Sequence, residues 1–188
     1  MRKTFKMRDV TPLVTAEELP AIVARDDYRY ELVAGRVIRM SPPGWEHGVI
    51  VVRLIGLLDA HIRPRRLGVV VTEVGFKLRS NPDTVRGPDI AFLRQDRLPT
   101  EKKRDYWSGA PDLAMEVLSP SDTSRDIDAK VSDYLSTGVS EVVVIDPDAE
   151  TVTRHRPGQQ PQVMRRAEEL DLDDVLPGFR CAVNDIFE

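Results

Sequence analysis

The chain has 188 residues, 41% hydrophobic and 31% charged, the make-up of one soluble globular domain. No apolar run approaches the roughly 18–20 residues of a membrane helix, and the single cysteine, Cys181, rules out an internal disulfide and a cysteine-built zinc cluster. A net charge of −4 counts against a nonspecific DNA-coating protein, although an enzyme can still meet nucleic acid through a local patch or bound cations.

The N-terminal MRKTFKMRDV is basic but lacks the apolar core of a signal peptide, so a cytoplasmic protein without a membrane partner is expected. TAEELPAIVA, 15–24, predicts a short helix with Thr15 as N-cap and Glu18 at the capping-box position. YELVAGRVIRM, 30–40, predicts a hairpin around Ala34-Gly35, and SPPG, 41–44, breaks the chain. Val and Ile favour strands, but the length of 45–62 and the series Ile50, Leu54, Leu58 predict a helix. GVVVTEVGFKL, 68–78, reads as one strand with Thr72, Val74, Phe76 and Leu78 on one face. PDIAFL, 88–93, reads as a short strand opened by Pro. EKKRDYWSGAP, 101–111, is a polar connection with room for a helical turn. A strand over 112–118 follows, then a helix over 121–138 with Ser/Asp/Thr caps and a terminal Gly138. EVVVIDP, 141–147, and TVTRHRP, 151–157, are further strands, and the acidic tail closes with LPGFRCAVNDIF packed back on the body.

This order implies an α/β fold: a mixed central β-sheet flanked by helices, with an added N-terminal hairpin. Residues 1–188 then form a single domain, with a core at about 45–147. The helix and hairpin of 15–40 precede that core, and the strands and tail of 150–188 follow it.

One strand carries an anomaly. In APDLAMEVLSPSD, 110–122, Leu113, Met115 and Val117 share one face, while Ala114, Glu116 and Leu118 share the other. Both faces are otherwise apolar, as in a central strand covered on both sides. A lone carboxylate there must be protonated, paired or bound to metal, unless the position lies at an edge. Asp89 repeats the anomaly beside IAFL, although it also fits a turn aspartate. In the helix after Glu116, Lys130 borders the apolar face of Ile127, Val131, Tyr134 and Leu135, where snorkelling is the plain alternative. His47 lies three before Ile50 on the buried side of its helix, where a bond to backbone would also explain it. Glu31 alternates with Tyr30 and Leu32 in the hairpin, a position compatible with an exposed face. Tyr134 reads as core, and Trp45 and Trp107 as packing residues. Two carboxylates on adjacent strands can bind a hard cation, Mg²⁺ or Mn²⁺. A nearby lysine can orient water or hold developing negative charge.

Together PDI (from Pro88), MEVLSPSD, the Asp126-x-x-x-Lys130 spacing and GVSEVVVIDP resemble the Uma-type putative restriction endonucleases of the PD-(D/E)XK nuclease superfamily. The likeness runs from YELVAGRVIRMSPPGWEH to the closing LPGF. Pro-Asp alone means little, because Pro111-Asp112 repeats it. The resemblance implies a restriction-endonuclease-like core in which Asp89 and Glu116 are metal ligands, completed by the backbone carbonyl of Val117. The superfamily pattern places a lysine two residues after the glutamate, where this chain has Leu118; the resemblance moves that role to Lys130 on the following helix. Glu31 and His47 match positions that accompany the site. Val142 and Val143 replace aromatic residues of the family.

Two functions follow. One is a Mg²⁺-dependent endonuclease hydrolysing DNA phosphodiester bonds, with Lys77, Arg79 and Arg86 available to phosphate. A homodimer would supply the two sites of double-strand cleavage. The other is an inactive nuclease fold kept as a binding or assembly module, which Leu118 and the acidic net charge favour.

Overall fold

Apolar runs become strands where Pro, Gly or Asp brackets them, and the longer 3.6-periodic runs become helices. The computed structural model describes residues 12–24, 28–101 and 106–188. In chain order the elements are α1 (Leu19–Val23), β1 (Tyr30–Val33), β2 (Arg36–Arg39), α2 (Trp45–Arg65), β3 (Gly68–Val71), β4 (Phe76–Arg79), β5 (Thr84–Arg86) and β6 (Ile90–Arg94). After them come β7 (Trp107–Ser108), β8 (Leu113–Val117), α3 (Ser124–Ser136), β9 (Glu141–Asp146), β10 (Thr151–His155) and β11 (Gln162–Arg165). The C-terminal part holds β12 (Glu169–Asp171), β13 (Arg180–Ala182) and α4 (Asn184–Phe187).

Six strands form one mixed sheet in the order β11-β10-β9-β8-β6-β3. Its central pair, β8 and β9, is parallel, as a connection through the crossover helix α3 requires. A second sheet has the order β2-β1-β5-β4-β7. The large sheet is covered on both faces. Ile50, Leu54, Leu58 and Ile62 of α2 pack on Ile90, Phe92, Leu113 and Met115. On the opposite face, Val131 and Tyr134 of α3 pack on Ala114, Val142 and Val144. The alternation expected for β8 is therefore realised, and Glu116 falls on the α3 face with Ala114. The tail does pack back: Leu170, Phe179 and Ile186 join the α2 core. Among the described residues, no helix is long and apolar enough to cross a membrane.

Several expectations need correction. Residues 68–78 are not one strand. The chain leaves the six-stranded sheet after Val71 and enters the five-stranded one at Phe76, turning through Glu73 with a left-handed φ of 57°. Thr72 consequently does not extend a strand face; its Oγ1 donates to the carbonyl of Asp89 at 2.7 Å. The helix expected over 15–24 shrinks to Leu19–Val23. Thr15 and Glu18 do exchange capping-box bonds, at 2.9 and 3.3 Å, but in the turn ahead of the helix. Strand β6 begins at Ile90, so Asp89 stands just before it. The polar connection contains β7; 106–111 hold no helical turn, and 102–105 lie outside the described residues. Trp45 is no packing residue; it is 85% exposed at the start of α2.

Candidate active site

The antiparallel register of β6 and β8 pairs Ile90 with Met115 and Ala91 with Ala114. One step further along that register sets Asp89, just ahead of β6, opposite Glu116. The Asp89 carboxylate is tied by two neighbours. Its Oδ2 accepts from the Val117 amide at 2.8 Å and meets His47 Nε2 at 3.1 Å. The first turn of α2 supplies that histidine, three residues ahead of the core residue Ile50. Glu116 is 2% exposed and held through both oxygens. Lys130 Nζ donates to Oε2 and Tyr134 OH to Oε1, each at 2.7 Å. Lys130 and Tyr134 are four apart on α3, so they project from one helix face onto the same carboxylate.

Glu31 reaches the same place from β1. Its Oε2 accepts from Arg86 Nη1 at 2.6 Å and its Oε1 from the Gly87 amide at 3.1 Å. Arg86 continues to Asp133 on α3 through Nε and Nη2, at 3.0 and 2.7 Å. Glu31, His47, Asp89, Glu116, Val117 and Lys130 all line one cleft of about 250 Å³.

Three carboxylates thus face one buried ammonium, and the titration behaviour follows from that imbalance. Burial, with Asp89 and Glu31 adding to it and Lys130 opposing, pushes the Glu116 carboxyl up to about 7. Burial also works against Asp89, but His47, the Val117 amide and Lys130 outweigh it and hold that carboxyl below its usual range. Burial would lower the Lys130 ammonium, yet Glu116, Glu31 and Asp89 together raise it. The two partners of the Lys130–Glu116 pair both titrate high. The lysine gains from three carboxylates, whereas the glutamate shares one ammonium with two rivals. Burial, with Glu116 beside it, raises the Tyr134 phenol well above its ordinary value, so it stays a donor.

Does this donor set suit a cation? Both bonds to Asp89 land on Oδ2, which leaves Oδ1. Each Glu116 oxygen accepts one bond and retains lone-pair capacity. Among the described residues, no group of three or more His, Cys, Asp or Glu side chains is placed to hold a metal. Two carboxylates plus the carbonyl of Val117 could hold only part of a coordination shell. That suits Mg²⁺, which keeps several waters, and is poor for a four-ligand zinc centre.

Glu31 is buried, not on an exposed hairpin face. His47 bonds a carboxylate and Lys130 makes a buried ion pair. The three basic residues considered for phosphate are engaged within the protein. Arg86 is buried between Glu31 and Asp133, Arg79 pairs with Asp133, and Lys77 pairs with Glu17 and Asp83. Tyr134 lies in the core as the sequence reads it but also bonds Glu116, a contact the sequence does not state, nor does it join Arg86 to Glu31. The first had a readable signal, since Tyr134 lies one helical turn beyond Lys130. The second had none, because 55 residues separate the partners.

Comparison with known proteins agrees with this architecture. The family profile described as "Uma2: Putative restriction endonuclease" matches residues 15–184. A crystal structure described as a putative nuclease belonging to DUF820, from Anabaena variabilis ATCC 29413, superposes with a TM-score of 0.81. It is 22% identical, over 93% of this chain and 97% of that one, a likeness that shows the fold. No curated protein matches the chain.

Proposed function

The chain belongs to the Uma2 putative restriction endonuclease family, and from that premise we propose that it is a Mg²⁺-dependent endonuclease hydrolysing DNA phosphodiester bonds. The observation that carries the reading is the convergence of Asp89, Glu116 and Lys130 on one cleft. Asp89 Oδ1, Glu116 and the carbonyl of Val117 would hold the cation, with Mn²⁺ as a substitute. When bound, such a cation supplies charge neutralisation at phosphate and makes water more acidic. The chain's own residues do the rest. His47 and the Val117 amide fix Asp89 through Oδ2. Tyr134 fixes Glu116 through Oε1. Lys130 is anchored on Glu116 Oε2 with two remaining N–H donors, which can orient the attacking water or meet charge growing on the phosphate. Glu31, held by Arg86 and Gly87, adds negative potential that favours a divalent cation. A homodimer acting in the cytoplasm belongs to the same reading, because cutting both strands takes two sites.

The test is cleavage of supercoiled, linear and single-stranded DNA with Mg²⁺ or Mn²⁺, beside calorimetric titration of each cation into wild type and Asp89→Ala. Cleavage that needs the cation, and cation binding lost in Asp89→Ala, would support the proposal. Cation binding without cleavage of any substrate would favour the second reading, a non-catalytic nuclease-fold module. That reading draws on Leu118 at the superfamily lysine position and on Lys130 already spending one donor on Glu116.

A further inference from the structure

The cations around the cleft are nearly all neutralised inside the protein. Lys130 serves Glu116, and Arg86 serves Glu31 and Asp133. Arg29, which lines the cleft, meets Glu73 at 3.0 Å. With three carboxylates in the interior, a polyanion approaching this cleft needs a cation with charge to spare. Arg39 is such a cation. It has no carboxylate partner among the described residues; its guanidinium carbon instead sits 4.0 Å from the ring centroid of Tyr28. Tyr28 is 42% exposed and lines the cleft. The placement is built by the hairpin. Arg39 stands opposite Tyr30 in the β1–β2 register, and the Met40 amide donates to the Arg29 carbonyl at 2.8 Å.

We propose that Arg39, stacked over Tyr28 at the mouth of the cleft, is a docking point for a backbone phosphate of the nucleic-acid strand. The inference rests on the nuclease reading and adds the residues by which the strand is held. With its carbon over the ring and no carboxylate beside it among the described residues, the guanidinium keeps N–H donors for phosphate oxygens, which it can meet in a two-pronged bond. Holding the side chain over a ring removes rotamer freedom before the strand arrives. The contact reads phosphate, so it is indifferent to base sequence. The Arg29–Glu73 pair beside it is partly exposed, and a pair of that kind opens at little cost.

The experiment measures binding of a labelled duplex in Ca²⁺ across a salt series, by anisotropy, for wild type, Arg39→Ala, Arg39→Lys and Tyr28→Ala. Arg39→Ala should weaken binding about tenfold at low salt, the scale of one charge-assisted contact. It should also lower the salt slope by about one phosphate contact. Arg39→Lys should keep the slope and lose part of the affinity, because the charge stays and the planar fork goes. Tyr28→Ala should do likewise. Calorimetric Mg²⁺ binding should be the same in Arg39→Ala as in wild type. If wild type binds and Arg39→Ala matches it in affinity or in slope, the docking point is wrong while the nuclease reading stands. If wild type binds no nucleic acid, the nuclease reading fails and takes this one with it.

Discussion

Two strands of the six-stranded sheet each carry a buried glutamate, and the two are used differently. Glu141 opens β9 and is matched by Arg154 from the neighbouring β10. Arg154 Nε bonds Oε1 and Nη2 bonds Oε2, the second at 3.1 Å. One fork faces one carboxylate, both are buried, and neither lines the cleft that Glu116 faces. Glu116 also has a buried basic partner, but that partner serves three carboxylates, and the group faces a cleft. A buried ion pair alone is weak evidence for anything beyond architecture. The difference lies in surplus negative charge with access from outside. The surplus opposes the apo fold and favours a cation.

The largest contrast should come from neutralising each glutamate in turn. Glu116→Gln should abolish cation-dependent cleavage and keep the circular dichroism of wild type, because Lys130 retains Asp89 and Glu31 as neighbours. Glu141→Gln should do the reverse. It strands a buried guanidinium, so it should lose about 3–5 kcal/mol of stability while activity per folded molecule stays near wild type. Equal loss of activity in both variants, once corrected for the folded fraction, would erase the distinction. Next in size is Lys130→Met, expected to slow cleavage by roughly two orders of magnitude or more. Lys130 also restrains the upward shift of Glu116, so its loss should weaken cation binding near neutrality and leave it close to wild type at higher pH.

Much of this contrast is legible in the sequence. The alternation in LAMEV put Glu116 on the face away from Leu113 and Met115, and the helix period put Lys130 beside Tyr134. These are local rules, and the sheet obeyed them. The pairing of β6 with β8 was not readable from one strand, and without it Asp89 remained a plausible turn residue. The split of 68–78 was hidden because Thr72, Val74 and Phe76 keep alternating through the break; the left-handed residue there is Glu73, not a glycine. Arg86 reads from the sequence as available to phosphate because its partners, Glu31 and Asp133, are brought to it by tertiary packing alone. Glu141 is the instructive case. It too is a glutamate beginning an apolar run, and nothing in the run itself marks it as structural.

Protons should sharpen the contrast further, and the sign can be worked out. The Glu116 carboxyl rises from an ordinary 4.5 to about 7. Between those values the folded protein keeps a proton that the unfolded chain releases. Stability from this group is therefore fully present below the lower value and falls as pH climbs to the upper one, by about 3 kcal/mol. Asp89 acts oppositely and elsewhere: its contribution is lost only as pH falls through its lowered value, below 3.8. At the proposed site a divalent cation would displace the Glu116 proton, so affinity should drop up to tenfold per pH unit below about 7. Thermal unfolding from pH 5 to 8 should fall in temperature without Mg²⁺ and flatten or reverse with it. Glu116→Gln should remove both behaviours. A wild-type profile that matches Glu116→Gln would mean that this carboxyl does not titrate in the window.

The smallest effect, and the most diagnostic, belongs to Tyr134→Phe. The phenol donates to Glu116 Oε1 at 2.7 Å from a fully buried position, and Phe fills the same space without the hydroxyl. The ionised carboxylate loses a donor that its protonated form needs less, so the Glu116 titration should move up. A hydrogen bond worth about 0.5–1.5 kcal/mol corresponds to a shift of about half a pH unit to one unit. Cation affinity and cleavage should therefore fall several-fold near neutrality, yet approach wild type at higher pH, where Glu116 is ionised in both proteins. The loss should thus appear as a displaced pH profile of unchanged height. If Tyr134→Phe lowers cleavage equally at every pH, the hydroxyl does more than hold Glu116. If it lowers nothing at any pH, the bond is part of the core and Tyr134 belongs with Glu141 on the architectural side of the comparison.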